Sequence, residues 1–221
     1  MTPPDTTDRA GDGRELLVAT RSAGKYAELR APLETLGYRV LDLGAAGVAP
    51  SDDEETIEVY DTFEENAIAK ARYYRAASGG LPTIADDSGL VVDALDGAPG
   101  VRSRRWAGAA GSESDVTAAN NTKLLLTLGD DARRAAQFVC AVAYVAGADT
   151  AVVRGEVAGR IARAPRGAHG FGYDPLFECA DLAWRTFAEA SAEEKARVSH
   201  RGRALAQLYQ RLAPARGDAA G

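Results

Sequence analysis

Two adjacent acids, Asp86 and Asp87, follow the apolar run Pro82-Thr83-Ile84-Ala85, and Ser88-Gly89 leads into a second apolar stretch from Leu90 to Leu95. The pattern predicts strands at 82–86 and 90–95, with the acids at the end of an inner strand. A carboxylate there is costly unless a cation meets it. Gly89 is expected to bend the backbone so that the acids face a cleft. One or two carboxylates, completed by phosphate oxygens, are the usual way of holding Mg²⁺. The competing reading is a solvated Asp-Asp-Ser-Gly turn.

A chain of 221 residues, 46% of them hydrophobic, can bury a substantial core as one large domain or as two lobes sharing a sheet. A net charge of -6 argues against a nucleic-acid polymer as partner, so any phosphate chemistry must rest on a few placed cations. Cys140 and Cys179 have no paired spacing, which excludes a disulfide scaffold and a Cys-type zinc site. Cys140, inside Phe138-Val139-Cys140-Ala141-Val142, is expected to be a buried, inert thiol. No apolar run reaches membrane-spanning length. Residues 1–13 lack the hydrophobic segment of a signal peptide and are expected to be a disordered leader. A domain over 14–213, a loose tail over 214–221 and a cytoplasmic location complete this outline.

Leu16 to Thr20 suggests a first buried strand, followed by a helix from about Lys25 to Leu36 ending at Gly37, and a second strand over Tyr38 to Leu43. The acidic segment Asp52 to Asp61 is expected to be mostly a solvated loop. Thr62-Phe63-Glu64-Glu65 forms a capping box, and the helix it starts carries Phe63, Ala67, Ala71 and Tyr74 at core-facing spacing, with Asn66 and Lys70 one turn apart. A third helix is expected over Asp115 to Leu128. Strands near 136–145 and 151–162 should form a hairpin through Gly147-Ala148-Asp149. Two short helices close the chain, one capped by Ser191 and one starting near Ser199. Alternating strands and helices plus a hairpin indicate an α/β protein with a mixed sheet.

Three further segments carry chemistry. Thr20-Arg21-Ser22-Ala23-Gly24-Lys25 joins a strand to a helix, exposing backbone N–H groups beside Lys25. Such a turn suits an anion, although it is not a Walker A loop and a plain strand-to-helix turn has the same outline. Lys195 and Ser199-His200-Arg201-Gly202 form the second segment. Cations in a first helical turn oppose the helix dipole, which suggests an anion bound there or a solvent-facing Arg. In Gly167 to Pro175, Phe171 is flanked by glycines and free to stack on a flat ligand, with Asp174 able to orient its edge. A purely structural turn is the alternative. Together these are the parts for binding a nucleoside polyphosphate.

With those residues in view, the chain resembles the Ham1/inosine triphosphatase family over about Leu16 to Leu212. Six motifs carry the resemblance in order: Ala19-Thr20…Gly24-Lys25; Thr62-Phe63-Glu64-Glu65-Asn66-Ala67…Lys70-Ala71; Ala85-Asp86-Asp87-Ser88-Gly89-Leu90; Gly97-Ala98-Pro99-Gly100-Val101…Ser103; Gly170 to Pro175; and Lys195…Ser199-His200-Arg201-Gly202. The resemblance implies a two-lobed α/β fold with a long mixed sheet and a cleft between lobes, usually dimeric. It implies Mg²⁺-dependent hydrolysis of ITP, dITP and XTP to the monophosphate and pyrophosphate. Carried over by position, Thr20, Arg21, Ser22, Ala23, Gly24, Lys25 and Lys195 would hold phosphates, with Ser88 beside the substrate. Asp87 would be general base or metal ligand, and Glu58 the second ligand, with Glu54 and Glu55 as competitors. Phe171, Gly172, Tyr173, Asp174, His200 and Arg201 would surround the base.

Two positions depart from the family pattern: Ser22 stands where Asn is usual, and Arg104 where a small residue is common. Arg102, Arg104 and Arg105 thus share one loop and are expected to be solvated. A Maf-like pyrimidine nucleotide pyrophosphatase is disfavoured by the Phe171 loop and His200-Arg201. A non-catalytic nucleotide sensor is disfavoured by the Asp86-Asp87 pair, since it has no need to activate water.

Overall fold

The computed structural model describes residues 14–212; the expected leader and the tail lie outside the described residues. A seven-stranded mixed sheet runs in the order β2-β1-β3-β4-β5-β6-β7. Strands β1 (Glu15–Val18), β2 (Arg39–Leu41) and β3 (Thr83–Val92) are parallel, joined by helices α1 (Ala23–Glu34) and α2 (Phe63–Ala77). Strands β4 (Ala135–Ala146), β5 (Asp149–Ile161), β6 (Phe177–Cys179) and β7 (Arg185–Thr186) continue it antiparallel. Helix α3 (Glu113–Leu128) precedes β4, and α4 (Ala192–Val198) and α5 (His200–Leu212) close the described chain. None of these helices is long and apolar enough to cross a membrane.

Period-two alternation divides the strands between two cores. Leu17, Ala85, Val139, Ala141 and Ala143 face α2, meeting Phe63, Ala67, Ala71 and Tyr74. Leu16, Ile84, Cys140, Val142 and Val153 face the opposite side, against Leu29 and Leu33 of α1 and Leu205 and Leu208 of α5. Burying each such Leu or Ile contributes about 1.5–3 kcal/mol. A third cluster joins Leu90, Val92 and Phe138 to Leu124, Leu128, Phe177 and Phe187. The start of α5 lies directly on the sheet because β5 has Gly155 there. A Cβ at that position would come within 2.1 Å of the His200 carbonyl and 2.5 Å of the Ala204 amide.

Helix signals agree with the caps observed. Thr62 accepts from the Glu65 amide (3.2 Å), while its hydroxyl donates to the Glu65 carboxylate (2.6 Å). Ser191 and Glu194 form a reciprocal capping box. The Ser199 side chain caps α5 by accepting from the Gly202 amide at 3.1 Å. That helix has thirteen residues rather than being short.

The main correction concerns β3. It is one unbroken strand, paired with β4 from Thr83↔Val145 to Val92↔Ala136, rather than two strands flanking a bend. Gly89 leaves the strand straight and makes room: a Cβ would lie 2.3 Å from the Gly100 carbonyl and 2.5 Å from Ser103 Oγ. The acids therefore sit mid-strand, and the alternation sends them to opposite faces. Strands β6 and β7 were not expected, because three and two residues are too few to display a period.

Candidate active site

A cavity of about 620 Å³ opens beside the middle of β3. Its walls bring together the turn before α1, the acidic segment, the 100–105 segment, the Phe171 loop and the first turn of α5.

In the turn before α1, Thr20 Oγ1 accepts from the Ser22 amide (3.2 Å), and Ser22 Oγ accepts from the Lys25 amide (3.4 Å). Ser22 Oγ also donates to Glu113 Oε1 at 3.0 Å. Ala23 and Gly24 open the helix. A Cβ on Gly24 would lie 2.4 Å from Phe171 Cδ1, so the glycine lets the aromatic ring rest on the first helical turn. Arg21 lines the cavity but is held by the acidic segment. It forks onto Glu54 (2.6 and 3.1 Å) and donates to the carbonyls of Val48 and Ala49. Glu54 is thereby occupied, whereas the Glu55 side chain lies outside the described residues.

Glu58 and Asp87 both line the cavity. Lys70 Nζ stands 2.6 Å from Glu58 Oε1 and donates to the Asp86 carbonyl at 2.7 Å. Burial opposes ionisation of Glu58, but Lys70 and Lys25 outweigh it and hold the carboxyl below its ordinary pKa. Asn66 donates to Asp87 Oδ2 (3.0 Å) and bonds both the amide and the carbonyl of Tyr60, tying the acidic segment to α2. Asp87 Oδ1 accepts from the Ser88 amide at 2.9 Å. For this carboxyl burial wins over Lys25, and with Glu58's negative charge it pushes the pKa up to about 6. The acidic segment is therefore only partly solvated: Glu54 and Glu58 are structural members of the cavity wall.

On the other face of β3, Asp86 is fully buried. Its Oδ2 accepts from Arg201 Nη2 (2.8 Å) and lies 3.3 Å from Lys25 Nζ. Burial opposes its charge, but Lys25, Arg201 and Lys70 overcome that and hold it far below the usual carboxylate range. Arg201 also pairs with Glu28 and donates to Ser88 Oγ at 2.9 Å. Two carboxylates of the chain itself, Asp86 and Glu28, thus meet the cation in the first turn of α5. Cys140 is buried beside them, its thiol pushed up to about 12 by burial, an inert group as expected.

At the far end Phe171 is half-buried, with Lys195 Nζ 4.7 Å from its ring centroid. Lys195 lies 2.6 Å from Glu28 and 2.5 Å from Asp174. Asp174 accepts from the Phe171 amide (2.8 Å), so in this structure it shapes the loop and anchors the lysine rather than facing outward. Gly172 accepts from Asn121 (3.1 Å), and the Tyr173 hydroxyl donates to the Ser103 carbonyl (2.9 Å). His200 stacks on Phe138 (4.7 Å, 10°) and its Nδ1 has no partner among the described residues. Burial, reinforced by Arg201 and Lys195, keeps its pKa well below the ordinary value, so the imidazole is neutral.

All the site residues named from the sequence except Ala23 and Gly24 line this one cavity, and those two open α1 between the lining residues Ser22 and Lys25. Glu28 was not anticipated. Its only sequence signal is a position one turn beyond Lys25. Asn66 and Lys70 were visible as an i, i+4 pair, without the roles their contacts give them. Arg104 and Arg105, expected to be solvated, are exposed yet rim the cavity.

Among the described residues, no cluster of three or more His, Cys, Asp or Glu side chains forms a metal cage. Mg²⁺ binds through one or two carboxylates plus phosphate oxygens and retained water. The donor set fits: two carboxylates share one wall, and Asp87 is short of positive charge.

Fold and cavity define a class, an α/β protein whose helix N-terminus, paired carboxylates and aromatic loop face one chamber. The chain belongs to the Ham1 family, whose model matches residues 16–211. It is 53% identical over 208 residues to the dITP/XTP pyrophosphatase of Mycolicibacterium paratuberculosis, covering 91% of this chain and 98% of that one. The Symbiobacterium thermophilum protein of the same name is 45% identical, with coverage of 90% and 95%. Among solved structures, a HAM1 protein from Coxiella burnetii superposes with a TM-score of 0.77 at 38% identity, covering 91% of this chain and 99% of that one. The Mycobacterium abscessus nucleoside-triphosphatase / dITP/XTP pyrophosphatase gives 0.66 at 46% identity, covering 88% and 98%.

Proposed function

We propose that this chain hydrolyses the aberrant purine nucleoside triphosphates ITP, dITP and XTP to the monophosphate and pyrophosphate, with Mg²⁺. The observation that carries the reading is a single cavity holding Asp87, with its raised pKa of about 6, beside Glu58, the N-terminus of α1 with Lys25, and Phe171.

Glu58 and Asp87 would hold the metal, which when bound neutralises charge developing on the phosphates. Backbone amides at the start of α1, with Thr20, Ser22 and Lys25, orient the phosphate chain. Asp87 accepts the proton of the attacking water. The new bond forms at the α-phosphorus, and the bond to the bridging oxygen breaks, releasing pyrophosphate. Asn66 and the Ser88 amide fix the Asp87 carboxylate, so its proton-accepting oxygen needs little reorganisation. Phe171 stacks on the base. Lys195, which the resemblance assigns to the phosphates, lies instead 4.7 Å from the Phe171 ring. While keeping their carboxylate partners, it and Arg201 would each offer a remaining N–H to the base, a donor that suits the 6-oxo group of hypoxanthine or xanthine and rejects a 6-amino group. The same reading includes a homodimer and a cytoplasmic location.

The test is pyrophosphate release from ITP, XTP, GTP, ATP and dTTP, each with and without Mg²⁺. Mg²⁺-dependent release favouring ITP and XTP is expected. Binding of ITP without turnover, or a preference for the pyrimidine, overturns the reading.

A further inference from the structure

Seven cationic side chains line the cavity. Five are already neutralised by carboxylates: Arg21 by Glu54, Lys70 by Glu58, and Lys25, Lys195 and Arg201 by the Asp86, Glu28 and Asp174 group. Arg104 and Arg105 are different. Neither forms an ion pair among the described residues, and the one side-chain bond of the two runs from Arg105 Nη2 to the Glu58 carbonyl, at 2.9 Å. That bond brings the Arg105 guanidinium to the carboxylate end of the cavity.

The backbone beneath these side chains is pinned on both sides. Ser103 Oγ accepts from the Leu90 amide of β3 (2.8 Å) and donates to the Gly100 carbonyl (2.6 Å). Asn120 of α3 takes the Ala107 amide (2.8 Å) and donates to the Arg104 carbonyl (2.9 Å). Two exposed guanidinium groups therefore stand on a fixed mount at the mouth of an otherwise neutralised chamber. A triphosphate brings several negative charges that the paired cations cannot balance without giving up their own carboxylates. Unpaired arginines, with forked donors matched to phosphate oxygens, supply that balance.

We propose that Arg104 and Arg105 grip the terminal β- and γ-phosphates of the substrate, the part that leaves as pyrophosphate. The inference rests on the proposed pyrophosphatase reading and deepens it: the start of α1 handles the α-phosphate region, and the 100–105 segment handles the leaving group.

The test compares the wild type with Arg105→Ala, Arg105→Lys and the Arg104→Ala/Arg105→Ala double variant. Inhibition of ITP turnover by inorganic pyrophosphate and by IMP is measured separately, and pyrophosphate binding with Mg²⁺ is followed by calorimetry. The double variant should bind pyrophosphate about 10- to 100-fold more weakly and raise the KM for ITP similarly, with inhibition by IMP unchanged. Arg105→Lys should recover part of the loss. Unaltered pyrophosphate affinity overturns the inference, as does an equal weakening of pyrophosphate and IMP, which would mark a merely structural role. Calorimetry does not depend on turnover. A wild type that binds pyrophosphate through these arginines yet leaves ITP intact would sink the proposed function and spare the phosphate grip.

Discussion

Asp86 and Asp87 are chemically identical neighbours on one strand, yet they end in opposite states. Asp86 faces α1 and α5, is fully buried, and is ionised far more readily than an ordinary aspartate because Lys25 and Arg201 meet it. Asp87 faces α2 and the cavity, where it accepts from a carboxamide and a backbone amide and forms no ion pair among the described residues; burial and the charge of Glu58 outweigh Lys25 and Lys70, and its pKa rises to about 6. One acid is spent on holding two helices to the sheet. The other is left under-compensated, the condition a metal ligand or proton acceptor needs. A one-residue step along a strand separates a neutralised carboxylate from an under-compensated one.

Removing the structural partner should have the largest effect. Asp86→Ala leaves Arg201 and Lys25 facing an empty buried site and is expected to cost about 3–5 kcal/mol of stability, read by urea unfolding. A loss under about 1 kcal/mol would erase the contrast between the two acids. Asp87→Asn should instead keep the fold, by circular dichroism, while lowering turnover of ITP by at least about 10². Turnover close to wild type would remove Asp87 from the chemistry.

The same Asp87→Asn variant sharpens the comparison through stability. A carboxyl whose folded pKa of about 6 exceeds its ordinary 3.8 costs the metal-free protein stability above pH 6, and that cost fades as pH falls towards 4. The Asn amide must turn an N–H towards Asn66 or the Ser88 amide, a cost that does not vary with pH, so the pH dependence carries the comparison. The stability of the variant relative to wild type is expected to rise by about 1–2 kcal/mol from pH 4 to pH 8 without Mg²⁺. A difference that stays flat with pH would mean that Asp87 is better compensated than its surroundings indicate. Metal binding should follow the same titration. Mg²⁺ affinity, measured calorimetrically, is expected to fall about tenfold per pH unit below about 6. The smallest effect concerns the cation both acids share: Lys25→Met should move that pH dependence upward, since Lys25 is the foremost charge lowering the Asp87 pKa. No movement would show that the lysine serves Asp86 alone.

Much of this architecture was legible locally. Thr62 and Ser191 announced their helices because a cap is decided within four residues. The β4–β5 hairpin was visible from long apolar runs around Gly147. The site segments were visible because glycines, acids and cations interrupt apolar elements. What escaped depended on distance along the chain. Arg201 meets Asp86 across 115 residues, so nothing beside either residue reveals the pairing. Gly89 looked like a bend because its real constraint, the Gly100 carbonyl, belongs to another segment.

By itself the sequence determined the α/β class, the order of most elements, the family motifs and many of the side chains that line one cavity. These follow from periodicity, caps and residue chemistry, all of which act over a few neighbouring positions. Only the tertiary structure decided which carboxylate is neutralised and which is left under-compensated, that Arg201 pairs with Asp86 and Glu28, and that Arg104 and Arg105 rim the chamber with no carboxylate partner among the described residues. Coulomb energy and desolvation depend on distance and burial in space, and those exist only once the sheet has brought remote segments together.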